Sequence, residues 1–182
     1  MNEYSDNELV QQCLKGLTKA FEELVNRYQK SVFNTAYRMT RSTTDAEDIT
    51  QLTFIKAYEN LRTFNPKYKF FSWIYRIAVN ETLNAIKIKD RFSSLDERAN
   101  GKVKNPEDIF EENEMSEMIQ DALVEMTVEH HAVIVLKHLQ HFSYRDIAYI
   151  LDIPEKKVKS RLYAARQQLK EILLRKGILN HG

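Results

Sequence analysis

The sequence predicts an all-α protein: two small helical domains joined by a flexible linker, the second domain carrying a helix-turn-helix. Three observations carry this. Apolar residues recur every three or four positions along most of the chain. Glycine (4) and proline (3) are too scarce for a turn-rich β fold. Between two periodic blocks lies an aperiodic stretch, "FSSLDERANGKVKN", spanning 92–105 and rich in Ser, Asn and Gly. The predicted division is therefore 1–91, a linker over 92–105, and 106–182.

The elements follow in order. A short helix is expected over Asp6–Lys15. The next helix repeats Phe21, Leu24, Val25, Tyr28, Val32 and Ala36 at helical spacing. "TTDAEDITQLTFIKAYENL" opens with Thr44 and Glu47 in capping-box positions. Its inner side is predicted to hold Ile49, Leu52, Phe54 or Ile55, and Tyr58. Ser72 is the expected cap of a helix reaching about Lys89. Pro106 suits the first turn of a helix over 106–126, with Asp108 at its positive end. Helices over 128–139, 143–151 and 155–175 complete the second domain.

Composition narrows the functional classes. No apolar run approaches the ~20 residues of a membrane span, and the polar N-terminus shows no secretory signal, so a cytoplasmic location without membrane insertion is expected. Cys13 is the sole cysteine, which excludes an intramolecular disulfide. The net charge of +1 hides a basic–acidic–basic order: basic over 62–91, acidic over 96–117, basic again over 156–176. Blocks of opposite sign imply separate partners.

"FSYRDIAYILDIPEKKVKSRLYAARQQL" is the sharpest local signal. Ser143 caps a short helix with Ile147, Ala148 and Leu151 inward, and Asp152-Ile153-Pro154 breaks it. A second helix then aligns Val158, Leu162, Ala165, Leu169 and Ile172. Two helices on a three-residue turn form a helix-turn-helix, whose second helix enters a major groove. Opposite its apolar stripe lie Lys156, Lys159, Ser160, Tyr163 and Arg166, flanked by Lys157 and Arg161. Such cations reach phosphates or guanine edges, although a solvated basic helix closing a bundle has the same pattern.

In "FNPKYKFFSWIYRIAVN" rings and cations stand side by side. On a helical wheel Arg76, Asn80, Asn84, Lys87 and Arg91 share one face, with Ile74, Ala78, Thr82 and Ala85 opposite. The loop before it offers Lys67, Tyr68, Lys69 and Phe71. Stacking rings beside a basic groove hold unpaired bases. The competing reading places the rings in the core, favoured for Phe64 and Tyr75, whereas Tyr68 and Phe71 are the rings expected at the surface.

Taken together, "DAEDITQLTFIKAY", "FFSWIYRIAVNETLNAIK" and "SYRDIAYILDIPEKKVKSRLYAAR" resemble the extracytoplasmic-function group of bacterial σ70-type sigma factors, and the likeness covers nearly the whole chain. The resemblance implies a protein that binds core RNA polymerase and directs it to promoters. The first domain (sigma region 2) would read and melt the −10 element, and the second (region 4) would read the −35 element. It assigns Asn80 to −10 bases and the Asn65–Phe71 loop to a flipped base. Lys159, Ser160 and Tyr163, with Lys137 on the preceding helix, fall at positions facing the −35 element. Asp45, Glu47, Asp48 and Gln51 match the helix that docks on the polymerase clamp, the acidic linker matches a segment entering the RNA-exit path, and an anti-sigma protein is the expected inhibitor. No extra acidic segment precedes the first domain, so the resemblance implies restraint from elsewhere.

The sequence departs from the family at Met126-Thr127, where Leu-Pro is common, and at Lys156-Lys157, where Gly-Thr is common. Leu52 follows Gln51 where glutamate is frequent. Two alternatives carry less: a freestanding helix-turn-helix regulator, which lacks a heptad run for dimerisation, and a metal-dependent phosphodiesterase using Asp45, Glu47 and Asp48. His138 and His141 have ligand-like spacing, but a closed site needs about four ligands. No phosphate loop or nucleophile motif is present, so no enzyme activity, cofactor or small-molecule substrate is expected.

Overall fold

The computed structural model describes residues 4–93 and 114–179. Among them every regular element is helical: α1 (Asp6–Leu14), α2 (Thr18–Thr40), α3 (Thr43–Glu59), a 3-10 turn (Leu61–Thr63), α4 (Phe70–Ser93), α5 (Glu114–Val124), α6 (Val128–Ile134), α7 (Tyr144–Leu151) and α8 (Glu155–Arg175). α6 continues into a π-helical turn over Val135–Leu139.

Caps fix several boundaries. Ser5 and Glu8 form a reciprocal capping box at α1, a signal already present in "SDNE". The N-cap of α3 is Ser42, whose hydroxyl accepts from the Asp45 amide at 3.2 Å, so Thr44 lies inside the helix rather than capping it. Ser72 is likewise no cap. The Trp73 amide already bonds the Lys69 carbonyl, and α4 starts at Phe70. α4 also runs to Ser93, past the expected domain end at Arg91. The expected helix over 106–126 is helical from Glu114 to Val124; Pro106, Asp108 and the acidic linker lie outside the described residues. Ser143 caps α7 as expected, its oxygen accepting from the Asp146 amide.

α3 corrects a second expectation. Ala46, Ile49, Thr53, Phe54 and Ala57 are its buried residues, whereas Leu52, Ile55 and Tyr58 are exposed. Ile49 and Phe54 point inward as expected, but apolar side chains ring this helix, and periodicity alone also selected Leu52 and Tyr58 from its outer side; the small Ala46 and Ala57 mark where neighbours approach. Elsewhere the stripes hold. Leu24, Val32 and Ala36 of α2, Ile74, Ala78 and Thr82 of α4, and Val158, Leu162, Ala165 and Ile172 of α8 are buried.

The main core is continuous across both halves of the chain. Val10, Leu24, Phe70 and Ile74 belong to the same packed cluster as Leu123, Leu136, Ile147 and Leu162. A smaller cluster joins Met39, Leu83 and Ile86 from α2 and α4 to Ala132, Val135, Leu139 and Leu151. Burying such side chains contributes roughly 1.5–3 kcal/mol each, so this contact is more than a polar touch between neighbours.

Candidate nucleic-acid interfaces

The second-domain face is built on α8. Pro154 precedes its first turn, and Val158, Leu162 and Ala165 anchor the inner side. The outer side is then fixed by helical geometry. Lys156, Lys157, Lys159, Ser160, Tyr163 and Arg166 are exposed and Arg161 is half-buried, with Tyr163 67% exposed. Several of these are held in place. The Lys159 ammonium lies 3.1 Å from Glu155 and 5.5 Å from the centre of the Tyr144 ring. Lys137 sits over the same ring at 4.7 Å and donates to the Phe142 carbonyl. Arg166 donates to His138 Nε2 at 3.3 Å; burial, and then this guanidinium, lower the histidine's pKa. The result is an open cationic helix with a pre-arranged row of side chains.

The first-domain face is built on α4 and the loop before it. Asn65 Oδ1 accepts from the Lys67 amide at 3.0 Å, turning the chain. Asn80, Asn84 and Lys87 are exposed along α4, and Lys67 and Lys69 are exposed in the loop. Phe64 and Tyr75 are buried, as the core reading expects, and so is Trp73. Beside the loop lies a cleft of about 540 Å³, walled by Ser5, Asp6, Tyr28, Lys67, Tyr68 and Phe71 among others. Asp6 accepts from the Tyr28 hydroxyl at 2.5 Å and from Arg27 at 3.1 Å. Burial, and then this bond to Asp6, push the Tyr28 hydroxyl pKa up. Spacing within the loop could not reveal that α1 and α2 supply one wall; "SDN" carries no signal for it.

Phe71 and Arg76 are less open than expected, whereas Tyr68 is exposed as expected (39%) but engaged on one side. Phe71 is half-buried and stacks on Phe142, ring centres 4.8 Å apart. Tyr68 stacks on Tyr149 at 4.2 Å. Arg76 donates to the Tyr149 carbonyl at 3.1 Å and pairs with Asp152 at 3.2 Å. Rings and a cation placed for solvent are occupied by α7 and its flanking turns.

The acidic face lies on α3. Glu47, Asp48 and Gln51 are exposed, and Asp45 pairs with Lys89 at 3.1 Å. Leu52 (39% exposed) and Ile55 (55%) stand among them. Acids and uncovered aliphatic side chains together suit a protein partner better than a solvated face. Among the described residues no cluster of three or more metal-ligating side chains occurs, and no helix is long and apolar enough to cross a membrane.

Comparison with known proteins turns this geometry into an assignment. Residues 24–92 match the Sigma-70 region 2 family and residues 116–169 the Sigma-70 region 4 family. The ECF RNA polymerase sigma factor SigW of Bacillus subtilis is 34% identical over 178 residues, covering 90% of this chain and 94% of the relative. The chain belongs to the ECF family of sigma-70-type RNA polymerase sigma factors. The ECF RNA polymerase sigma-E factor of Escherichia coli K12 is 33% identical over 177 residues, covering 91% of this sigma factor and 92% of the relative. Two solved structures share the fold. The sigma factor RpoE of Bartonella quintana, in complex with the anti-sigma factor NepR, has a TM-score of 0.71 at 22% identity, covering 85% of this chain and 97% of that one. CnrH in complex with the cytosolic domain of CnrY has a TM-score of 0.69 at 24% identity, covering 92% and 96%.

Proposed function

We propose that this chain is the promoter-specificity subunit of bacterial RNA polymerase for one set of promoters, working in the cytoplasm. Residues 1–91 would serve the polymerase clamp and the −10 element, 92–105 the linker, and 106–182 the −35 element. The observation that carries the reading is the presence of two cationic faces of different construction in one chain. α8 offers an open, convex row suited to a major groove. α4 and its loop offer amides, cations and rings beside a cleft, suited to unpaired bases.

Each face has a defined task. Lys156, Lys157, Lys159 and Arg166 would meet phosphates or guanine edges of the −35 duplex, with Ser160, Arg161, Tyr163 and Lys137 completing the set. Asn80 and Asn84 would pair with −10 base edges, while Arg76, Lys67, Lys69 and Lys87 neutralise the displaced strand. Extruding a base costs a few kcal/mol of stacking. Tyr68, Phe71 and the neighbouring cleft would repay it. Asp45, Glu47, Asp48 and Gln51, with Leu52 and Ile55 between them, would dock α3 on the clamp. Leu52 in place of the usual glutamate exchanges charge for apolar contact there. The chemistry of RNA synthesis stays with the polymerase. An anti-sigma factor is the expected inhibitor, in line with the complexes named above.

The test is run-off transcription with bacterial core polymerase on templates with randomised upstream sequence. Specific transcripts with two recoverable sequence elements support the reading. Tight, sequence-specific binding by the chain alone, with no effect on the polymerase, overturns it in favour of a freestanding regulator.

A further inference from the structure

We infer that His138 is a positioning residue of the −35 interface: its neutral ring holds the Arg166 guanidinium, and protonation releases that group to the DNA backbone with a second charge beside it, so that −35 binding strengthens in mild acid. The inference rests on the assignment of α8 to the −35 duplex, and it concerns that site's regulation.

His138 stands on the π-helical turn that leads into the helix-turn-helix, exposed beside α8. Arg166 Nε and Nη2 each lie 3.3 Å from its Nε2. Accepting there requires the neutral ring with its proton on Nδ1. The lysine tethers of this face are of a different kind. Lys159 is held by the Glu155 carboxylate and the Tyr144 ring. Lys137 is held by the same ring and the Phe142 carbonyl. Imidazole, in contrast, is the side chain whose charge ordinarily changes between about pH 5 and 8. Arg166 is thus a cation held by a group that can itself become a cation.

Charge sets the direction. Once protonated, Nε2 is a donor and no longer accepts from Arg166; two cations then face each other and the pair parts. The groups acting on the ring are Arg166 from α8, Lys137 from its own turn and His141 from the loop that follows. Burial comes first, and each of these then favours the neutral form, so the pKa lies below the ordinary 6.5 and the free protein keeps the pair at neutral pH. A DNA phosphate reverses this balance, because an opposite charge within about 4–6 Å favours the charged ring. DNA therefore raises the pKa of His138, and by linkage a fall in pH raises the affinity for DNA through the same coupling. The gain appears as pH falls through the pKa of the complex and is complete below that of the free protein.

Two substitutions separate the ring's charge from its shape. His138→Gln keeps an acceptor for Arg166 but does not titrate near neutrality, and His138→Lys is charged throughout. Holoenzymes of the parent and of each variant are titrated at about pH 8 and about pH 6 with a fluorescein-labelled duplex carrying the two elements recovered from the randomised templates. His131 and His141 are present in every variant and cancel from the comparison. Between the two pH values the affinity of the parent relative to His138→Gln should rise about fivefold. The slope of log affinity against log salt should steepen by about 1 in the parent at the lower pH. His138→Lys should bind as tightly at the higher pH as at the lower. In an Arg166→Ala background the relative gain should shrink to about twofold, the share of the added charge alone. A ratio that does not change with pH overturns the inference. So does a fivefold gain that survives Arg166→Ala, which places His138 on the phosphate directly. Pull-down of core polymerase should be unchanged in all variants, and loss of the functional assignment itself appears separately, as a parent chain that does not bind core polymerase.

Discussion

α4 and α8 carry similar outward chemistry, cations with a ring and a hydroxyl or amide, yet they stand in opposite states. α8 packs one stripe inward and leaves the rest to solvent, with Tyr163 67% exposed. α4 is packed on two sides, against α2 and α3 within its own domain and against α7 from the other. The difference lies in what comes next to each helix in space. In its proposed role α8 would read duplex as a rigid convex edge, which can remain uncovered. The strand capture proposed for α4 would need rings, and uncovered rings seek partners; here Phe142 and Tyr149 stack on them.

The largest expected effect breaks that contrast at its centre. Phe142 is 3% exposed and touches both Phe71 and Tyr75 across the two halves. Phe142→Ala should cost about 3–5 kcal/mol of stability. Chemical denaturation should show the loss, and amide exchange should rise along α4 as well as α7. If exchange rises in α7 alone, the shared core is weaker than the packing indicates.

Acid should act on the same contact. His131 is 4% exposed, bonds the Arg38 backbone, and leaves Nε2 without a partner. Burial lowers its pKa from 6.5 to about 4. The unfolded chain therefore binds the proton first as pH falls. His131 burial imposes no penalty above pH 6.5, and stability is lost progressively between there and pH 4, reaching about 3 kcal/mol. Melting across this range checks it: His131→Gln should flatten the profile, and an equally steep profile in that variant removes the histidine as its cause.

How much of this was legible in the sequence depends on how local the cause was. The helix-turn-helix was legible because its determinants, Ser143, the 152–154 break and the Val158–Leu162–Ala165 stripe, lie within one short segment. Asn80, Asn84 and Lys87 were placed outward correctly because helical geometry alone decides that. The α3 stripe was legible only in part: Ile49 and Phe54 are inward, but the exposed Leu52, Ile55 and Tyr58 look as apolar as the true core. The occupation of Tyr68, Phe71 and Arg76 was not legible. Their partners lie more than seventy positions away, and "YIL" and "LDI" read as ordinary helix and turn. The cleft wall supplied by Ser5 and Asp6 was hidden for the same reason.

Within α4, substitution of Asn80 is the way to separate the proposed strand capture from polymerase binding. It is exposed and lies beyond the Tyr149 cover, on the same face as the covered Arg76. Asn80→Ala should lower open-complex formation about tenfold, in keeping with loss of one good base-edge contact of about 1–3 kcal/mol, and should leave core polymerase affinity unchanged. Permanganate footprinting for strand opening, beside a pull-down, distinguishes the two. Equal loss in both would return Asn80 to a structural role.

The smallest effect belongs to the open helix. Lys159 is tethered by Glu155 at 3.1 Å and by the Tyr144 ring, so part of its charge is already screened before DNA arrives. Lys159→Ala should weaken −35 binding by the holoenzyme only a few-fold. If the ammonium meets a phosphate, the slope of log affinity against log salt should fall by about 1. An unchanged slope with altered sequence preference moves Lys159 from backbone to base edge. Neither change removes it from the interface. Glu155→Gln sharpens the comparison: freeing the lysine should strengthen binding at low salt, because α8 is limited by its own side-chain pairs.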